Sequence, residues 1–305
     1  MPKDTEFWEF YWETRLQEME DLGKREAILA ASRLVRAMGE EPGRPIRLLE
    51  LGCGNGQIIG ALVQAHGELP GMHTSCGIDY SYPAIEQCQR RYPQQMTFLR
   101  GDFTDARFMS GLGKFAVLLL VNALHEVFSA AYSPKLGEID ILPAKQRVLQ
   151  ALAEAAARLE PGGYMVLFDG LEPSEDMRRP VQIRFQHGHA RRRFDGFAQE
   201  YRPFRITFHE TGDPLRVQLT QRDFTRYVTK SIFLEKHLWR TERLESYQYF
   251  NETEFRTAFD KLGLAVEQLC TSTINEEKWR SEVEIETPGI DFPTEHILII
   301  AHAPG

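Results

Sequence analysis

Cysteines are few in this sequence, and long apolar runs are missing. Its 305 residues include four scattered cysteines (Cys53, Cys76, Cys88 and Cys270) with no CxxC pair. This spacing argues against a disulfide framework and favours a reducing compartment. No apolar run reaches the roughly 18 residues that span a bilayer, and the acidic, aromatic start "MPKDTEFWEFYWETRLQEME" resembles neither a signal nor a transit peptide. We therefore expect a cytoplasmic protein with no membrane partner.

A basic excess is also missing. The net charge is −8, from 36 Lys and Arg against 44 Asp and Glu, which argues against nucleic acid as a partner. With 42% hydrophobic and 11% aromatic residues, the chain can bury a sizeable core. The composition predicts a globular protein whose oligomeric state stays open.

Strand and helix patterns alternate through the first half of the chain. Short apolar runs predict strands over 46–51, 73–81, 96–103, 115–126 and 164–170, with helical spacing between them. The run "FAVLLLVNALHE" is uninterrupted, as expected of a central strand that is covered on both faces. This alternation predicts a parallel sheet with helices on both faces.

The alternation breaks after Gly170. Within residues 171–250 the pattern predicts a helix near 178–194, a hairpin over 204–220 and a helix over 223–239. The helix–strand pattern resumes at 252–272. A polar stretch, 274–292, leads to the last strand. We predict an inserted α+β cap at 171–250, between strand five and the last helix, and a core made of 46–170 and 251–305.

The stretch "ELGCGNG" places Glu50, Gly52, Gly54 and Gly56 at the end of the first strand. A glycine turn there lets a ligand approach the backbone closely, because no Cβ intervenes. The third glycine of the dinucleotide fingerprint G-x-G-x-x-G is absent. The preceding acid suits a cationic ligand, since a carboxylate would repel a pyrophosphate.

This stretch resembles motif I of the class I S-adenosylmethionine-dependent methyltransferases, and the later landmarks follow in the family's order. The resemblance implies an α/β, Rossmann-like, doubly wound sheet of seven mostly parallel strands. It also implies S-adenosylmethionine as cofactor and S-adenosylhomocysteine as product. The implied cofactor residues are Glu50, Gly52, Cys53, Gly54, Gly56, Asp79, Tyr80, Asp102, Phe103 and Asn122.

The resemblance assigns a role to four of these residues. Asp79, at the end of the second strand, would accept the ribose hydroxyls. Asp102 would contact the adenine amino group, and Phe103 would flank the ring. Asn122, which ends the fourth strand, would contact the methionine moiety or the acceptor.

His125 and Glu126 follow the fourth strand, where the family binds its acceptor. His125 either takes a proton from a hydroxyl or amine as the methyl arrives, or only packs the turn; Glu126 would orient the imidazole. Asp169, which ends the fifth strand, is a further candidate on the acceptor side. Methyl transfer does not require strong acid–base chemistry, because in-line positioning supplies much of the rate.

A metal is not expected. Some relatives hold Mg²⁺ on carboxylates after strands four and five, but here strand four ends in Asn122 and no second Asp closely follows Asp169. His187 and His189 in "HGH" would point apart on a helix.

The N-terminal segment, 1–45, is predicted to be a helical lid. Its aromatic residues recur at helical spacing, which suits packing on the domain for Trp8 and Trp12. By the resemblance, Tyr11 and Arg15 would reach the cofactor carboxylate or the acceptor, and closure of such a lid would exclude water.

Three functions remain open. The favoured one is O-, N- or C-methylation of a small molecule held between the core and the cap. The cap is net basic, which is either a solvated face or an attraction for an acidic acceptor. The second is methylation of a peptide or RNA, although "NALH" stands where base-methylating relatives carry "NPPY". The third is a non-catalytic binding protein with this fold.

Overall fold

The structure is a computed structural model that describes residues 22–41, 43–173, 176–273 and 275–305. Its strands are β1 Leu48–Leu51, β2 Cys76–Asp79, β3 Thr97–Arg100, β4 Phe115–Val121, β5 Tyr132–Ser133, β6 Glu138–Ile139, β7 Leu159–Gly170, β8 Pro180–Phe185, β9 Phe208–Glu210, β10 Arg216–Thr220, β11 Ala265–Ser272, β12 Val283–Ile285 and β13 His296–His302. Its helices are α1 Leu22–Gly39, α2 Gln57–Ala65, α3 Tyr82–Arg91, α4 Ala106–Ser110, α5 Leu124–Ser129, α6 Ile141–Ala156, α7 Gly188–Glu200, α8 Gln221–Lys230, α9 Trp239–Glu242, α10 Glu252–Lys261 and α11 Glu276–Glu282.

The central sheet has seven strands in the order β11-β13-β7-β4-β1-β2-β3. β13 runs antiparallel to β11 and β7, and the other pairs are parallel. The predicted seven-stranded, mostly parallel sheet is confirmed. Because the chain order reverses between β1 and β4, the carboxyl ends of these two strands diverge into a crevice, where such sheets bind ligands.

Two apolar layers cover this sheet. In β4, Val117 and Leu119 face one layer, while Leu118 and Leu120 face the other, as the alternation of a strand requires. The first layer contains α1, α2 and α3, and the second contains α5, α6 and α10. The predicted N-terminal lid, residues 1–45, includes α1. This helix packs on the sheet as part of the core. Residues 1–21 lie outside the described part of the chain.

A second sheet, with strand order β12-β8-β10-β9, lies in the inserted region. The predicted hairpin is confirmed, since β9 and β10 pair antiparallel. The helix predicted near 178–194 is wrong over its first half. Its apolar residues there alternate with period two, so that Val181, Ile183 and Phe185 point inward from β8, and α7 begins after His187.

Part of the polar stretch 274–292 also joins the second sheet. β12 pairs antiparallel with β8, and the preceding α11 buries Trp279 completely. We call this second sheet, together with α7, α8, α9 and α11, the cap. It is built from two separate parts of the chain.

An ion pair lies inside the cap. Lys230, at the end of α8, is fully buried, and its Nζ lies 2.6 Å from Glu242 Oε2. The ammonium also lies 4.0 Å from the centroid of the Tyr247 ring. Because both charges have left water, each depends on the other for its stability.

Removing one partner of this pair should destabilise the protein. We expect Lys230→Met to lower the free energy of unfolding by about 3–5 kcal/mol, because it leaves a buried carboxylate uncompensated. The double variant Lys230→Met/Glu242→Leu should lose clearly less. Denaturant titrations followed by circular dichroism measure both; a single variant no less stable than the double one would contradict the pairing.

Candidate active site

The glycine turn between β1 and α2 needs left-handed backbone at positions without room for a side chain. Gly52 and Gly56 both have φ near +74°. A Cβ on Gly52 would lie 2.8 Å from the Cβ of Ala123, and one on Gly56 would lie 2.7 Å from the ring of Phe98. The turn is therefore fixed in a shape that keeps its backbone open to a ligand.

Two buried carboxylates hold this turn. Glu50 Oε2 accepts a hydrogen bond from the Ile59 N–H at 3.0 Å, at the start of α2. Asp79 accepts from the N–H groups of Gly54 at 2.9 Å and Ser81 at 2.8 Å. Both acids thus tie neighbouring strands to the turn and place negative charge at the carboxyl edge of the sheet.

A cavity of about 610 Å³ opens beside this turn. It brings together most of the predicted cofactor residues: Glu50, Gly52, Asp79, Tyr80, Asp102, Phe103 and Asn122. The other three support the turn: Gly54 and Gly56 shape its backbone, and the buried Cys53 thiol donates to the Gly54 carbonyl. Arg147 and Gln150 also line the cavity. Sequence reasoning missed these two, although their i,i+3 spacing on α6 places them on one helix face.

Asn122 combines two unusual features. It is a non-glycine residue with φ +52°, directly after β4, and its N–H donates to Phe168 O at 2.7 Å. Its side chain is nine-tenths buried, and Oδ1 has no hydrogen-bond partner among the described residues. Backbone strain and an unsatisfied buried polar atom are features that often accompany functional sites.

Asp169, at the end of β7, is fully buried and collects several hydrogen bonds. Its carboxylate accepts from the N–H groups of Leu124 at 2.8 Å and Gly170 at 2.7 Å. His125 Nδ1 donates to it at 2.8 Å. Asp169 therefore holds one side of the imidazole, and the orienting role of Glu126 stays a prediction.

The other ring nitrogen of His125 faces the cap, where Nε2 lies 3.7 Å from Glu245 Oε2. Burial acts to lower the pKa of His125, but Asp169 and Glu245 outweigh it and raise the pKa to about 9. The two carboxylates thus stabilise the protonated imidazole. The choice between a base and a packing residue for His125 stays a prediction.

A second cavity, of about 560 Å³, adjoins the first. The two share Tyr80, Glu126 and Ala130. The second is lined on the far side by Arg202, Thr241, Leu244 and Glu245. Glu126 therefore faces both cavities. The inserted region, residues 171–250, supplies the outer wall of the second cavity.

Comparison with known proteins assigns the family. Residues 23–269, most of the chain, match the family described as "Methyltransferase domain". The chain belongs to this family, the class I S-adenosylmethionine-dependent methyltransferases. A search of the curated proteins finds no significant match.

Several solved structures are similar to this chain at low identity. One is in the complex between the Haloferax volcanii Trm112 methyltransferase activator and the putative methyltransferase, with 16% identity, a TM-score of 0.45 and coverage of 97% of this chain and 95% of that one. Another is magnesium protoporphyrin IX methyltransferase from Synechocystis PCC 6803 with bound SAH, with 12% identity, a TM-score of 0.46 and coverage of 92% and 84%. A third is the N-methyltransferase NodS from Bradyrhizobium japonicum WM9, with 11% identity, a TM-score of 0.42 and coverage of 93% and 98%.

The cofactor of this family is S-adenosylmethionine, and the first cavity fits it. A side-chain-free turn at Gly52 leaves room for the ligand's close approach. The carboxylate of Glu50 suits the cationic sulfonium and ammonium groups, and the carboxylate of Asp79 suits the ribose hydroxyls.

Other predictions concern the N-terminal residues, a metal site and a membrane segment. Tyr11 and Arg15 lie outside the described residues. Within the described ranges, no group of three or more His, Cys, Asp or Glu side chains is arranged to hold a metal ion. Nor, in the same ranges, is any helix both long and apolar enough to cross a bilayer.

Two arginines of the basic run in the cap, Arg191 and Arg193, are engaged in ion pairs. Arg191 contacts Asp195 at 3.0 Å, and Arg193 contacts Glu282 and lies 3.3 Å from Glu235. Neither arginine is among the residues that line the two cavities. The ion pairs of Arg193 hold α7 to its neighbours, because Glu235 and Glu282 lie outside this helix.

The charged state of His125 should appear in the pH dependence of stability. The pKa of about 9 in the folded protein lies above the ordinary imidazole value of 6.5. Its stabilising contribution is therefore complete below pH 6.5 and is lost as the pH rises through 9. We expect the wild type to lose about 3 kcal/mol more than His125→Gln between these limits. Urea titrations across the range measure this, and parallel curves for the two proteins would contradict it.

The glycine turn offers a matched pair of variants. Gly52→Ala should abolish measurable binding of S-adenosylmethionine, because the added Cβ meets Ala123 and crowds the cavity. Gly137→Ala imposes a similar left-handed strain, at φ +72°, with nothing within 4 Å, and should leave binding intact. Isothermal titration calorimetry tests both. Normal binding by Gly52→Ala would show that the ligand does not approach this turn.

Proposed function

We propose that this protein transfers the methyl group of S-adenosylmethionine to a small-molecule acceptor held between the core and the cap. The observation that carries this proposal is the pair of adjoining cavities. The first lies at the crevice of the parallel sheet, and the second shares Glu126 with it. A second cavity of about 560 Å³ is in the range of small-molecule sites.

The cofactor would lie along the first cavity. Asp79 would accept the ribose hydroxyls, and Asp102 and Phe103 would bind the adenine. Glu50 would face the cationic methionine end, since it lies beside Gly52 in the cavity wall. Asn122 would use its unsatisfied oxygen for the ammonium or for the acceptor.

Bound S-adenosylmethionine supplies an activated methyl group, so the protein needs to supply mainly position. The acceptor would lie in the second cavity, with its reacting atom beside Glu126, where the two cavities meet. The wall supplied by the inserted region 171–250, formed in part by Thr241 and Leu244, would exclude water and restrict the acceptor to in-line approach. Asp169 and His125 would act as positioning residues, because they fix the start of α5 just before Glu126.

A lid formed by residues 1–21, which lie outside the described part of the chain, and the assignment of 171–250 as a substrate cap remain part of this proposal. The second cavity supports a small molecule rather than a macromolecule, because its lining comes from both the core and the cap region. Salt-sensitive association with RNA would instead favour the macromolecular alternative.

The cofactor assignment is tested at Asp79. We expect Asp79→Asn to raise the Kd for S-adenosylmethionine by about tenfold or more, because the amide keeps its shape but loses the charge and one acceptor oxygen. Asp105→Asn is the matched control, since Asp105 only caps α4. Calorimetry with the cofactor and with S-adenosylhomocysteine measures both variants. Unchanged binding by Asp79→Asn would mean that the ribose lies elsewhere.

A further inference from the structure

We propose that the methyl acceptor carries a carboxylate on an aromatic or apolar body, and that Arg202 binds this carboxylate. This inference rests on the proposed function. Arg202 lines the second cavity but not the first. The carboxylate would therefore be a handle that anchors the acceptor away from the cofactor, rather than the group that receives the methyl.

The wall of the second cavity contains one cation. Its described lining residues include Arg202 and no lysine or histidine. Arg202 is exposed, and its guanidinium has no hydrogen bond or ion pair with any residue in the described part of the chain. Because an arginine keeps its charge throughout the physiological pH range, this cation is available to a ligand in the cavity.

The two carboxylates in the same wall are already engaged. Glu245 lies 3.7 Å from His125 Nε2 and 3.9 Å from Lys230 Nζ. Both of these partners are buried, and neither lines the cavity. Glu126 also has an interaction partner within the protein. The charge of this wall that a ligand can still neutralise is therefore the positive charge of Arg202.

Nearby arginines of the inserted region form ion pairs instead. Arg243 lies 3.7 Å from Glu200, and Arg226 lies 3.0 Å from Asp223. Neither of these arginines lines a cavity. Arg202 thus differs from them in both respects, since it lines a cavity and its side chain has no partner among the described residues.

The backbone that carries Arg202 is held on both sides. Its N–H donates to Arg243 O at 2.9 Å, and the Ile139 N–H of β6 donates to Pro203 O at 2.9 Å. Tyr201, the preceding residue, is buried. Only the side chain has to become ordered when a ligand binds, which lowers the entropic cost. The planar guanidinium can then donate to both oxygens of a carboxylate.

The rest of the wall suits an aromatic or apolar body. Tyr80, Tyr132 and Leu244 line the second cavity, and both tyrosines are exposed. Their rings offer contact area to an organic ligand, while a few polar groups fix its orientation, as is typical of small-molecule sites. An acceptor with a carboxylate at one end and an apolar body would use both parts of this wall.

A carboxylate fits this wall better than a phosphate ester does. A phosphate monoester carries about two negative charges near neutral pH, and one arginine neutralises only one of them. Glu126 and Glu245 lie in the same wall and would repel the remaining charge. A carboxylate carries the single charge that Arg202 can balance.

Anchoring at Arg202 would also direct the acceptor toward the cofactor. Tyr80, Glu126 and Ala130 line both cavities, whereas Arg202 lines the second alone. An acceptor that is held by its carboxylate would extend its other end toward the shared residues. Fixing one end of the acceptor raises the effective concentration of its nucleophile at the methyl group.

The test uses four probes that share a phenyl group and differ in the polar end: phenylacetate, 2-phenylethanol, 2-phenylethylamine and phenyl phosphate. We expect the protein saturated with S-adenosylhomocysteine to bind phenylacetate with a Kd at least about tenfold lower than that of each other probe. Calorimetry or ligand-observed NMR at low salt measures this. Equal affinities, a preference for another probe, or no binding of any probe would overturn the carboxylate assignment.

Three variants locate the preference. Arg202→Gln should remove most of the advantage of phenylacetate over the alcohol, because the charge is lost. Arg202→Lys should keep part of that advantage, since the charge stays while the planar fork is lost. Arg205→Gln is the matched control and should keep all of it, because Arg205 is exposed in the same segment and lines neither cavity. Full retention of the advantage by Arg202→Gln would show that the carboxylate binds elsewhere.

Binding of S-adenosylhomocysteine, measured on every protein, separates this inference from the proposed function. Failure of the wild type to bind it would contradict the proposed function. Normal binding without a preference for phenylacetate would contradict only the assignment of a carboxylate acceptor.

Discussion

The carboxylate of Asp169 is the contact on which the arrangement of this site depends. Asp169 lies at the end of β7. Its carboxylate accepts hydrogen bonds from the first N–H groups of α5 and from the ring N–H of His125. One buried acid therefore fixes the start of a helix that follows a different strand. Since Glu126 is the next residue of that helix, its position at the junction of the two cavities follows from the same hydrogen bonds. Through His125 and Glu245 the contact continues into the cap region.

The acids at the glycine turn have two tasks. Glu50 accepts from the start of α2, and Asp79 accepts from the turn itself. Both also line the first cavity. A carboxylate that shapes a turn and faces a ligand cannot be removed without changing both, so a conservative amide is more informative here than alanine.

The core and the cofactor side of the site could be predicted because their signals are local. The alternation of apolar runs specifies each strand, and the glycines, Asp79 and Asp102 stand within a few residues of the strand ends. The cap could not be predicted in the same way. Its sheet pairs β12 with β8, about 100 residues apart, and no local pattern specifies that register.

The hydrogen-bond partners of His125 could not be predicted from the sequence for the same reason. Asp169 lies 44 residues away in sequence, and Glu245 lies in a region where the apolar pattern predicted only cap structure. Glu126, the adjacent acid, was therefore the natural partner to expect from sequence alone. The buried cations Lys230 and His125 also appear as ordinary charged residues until the fold places them behind Glu245.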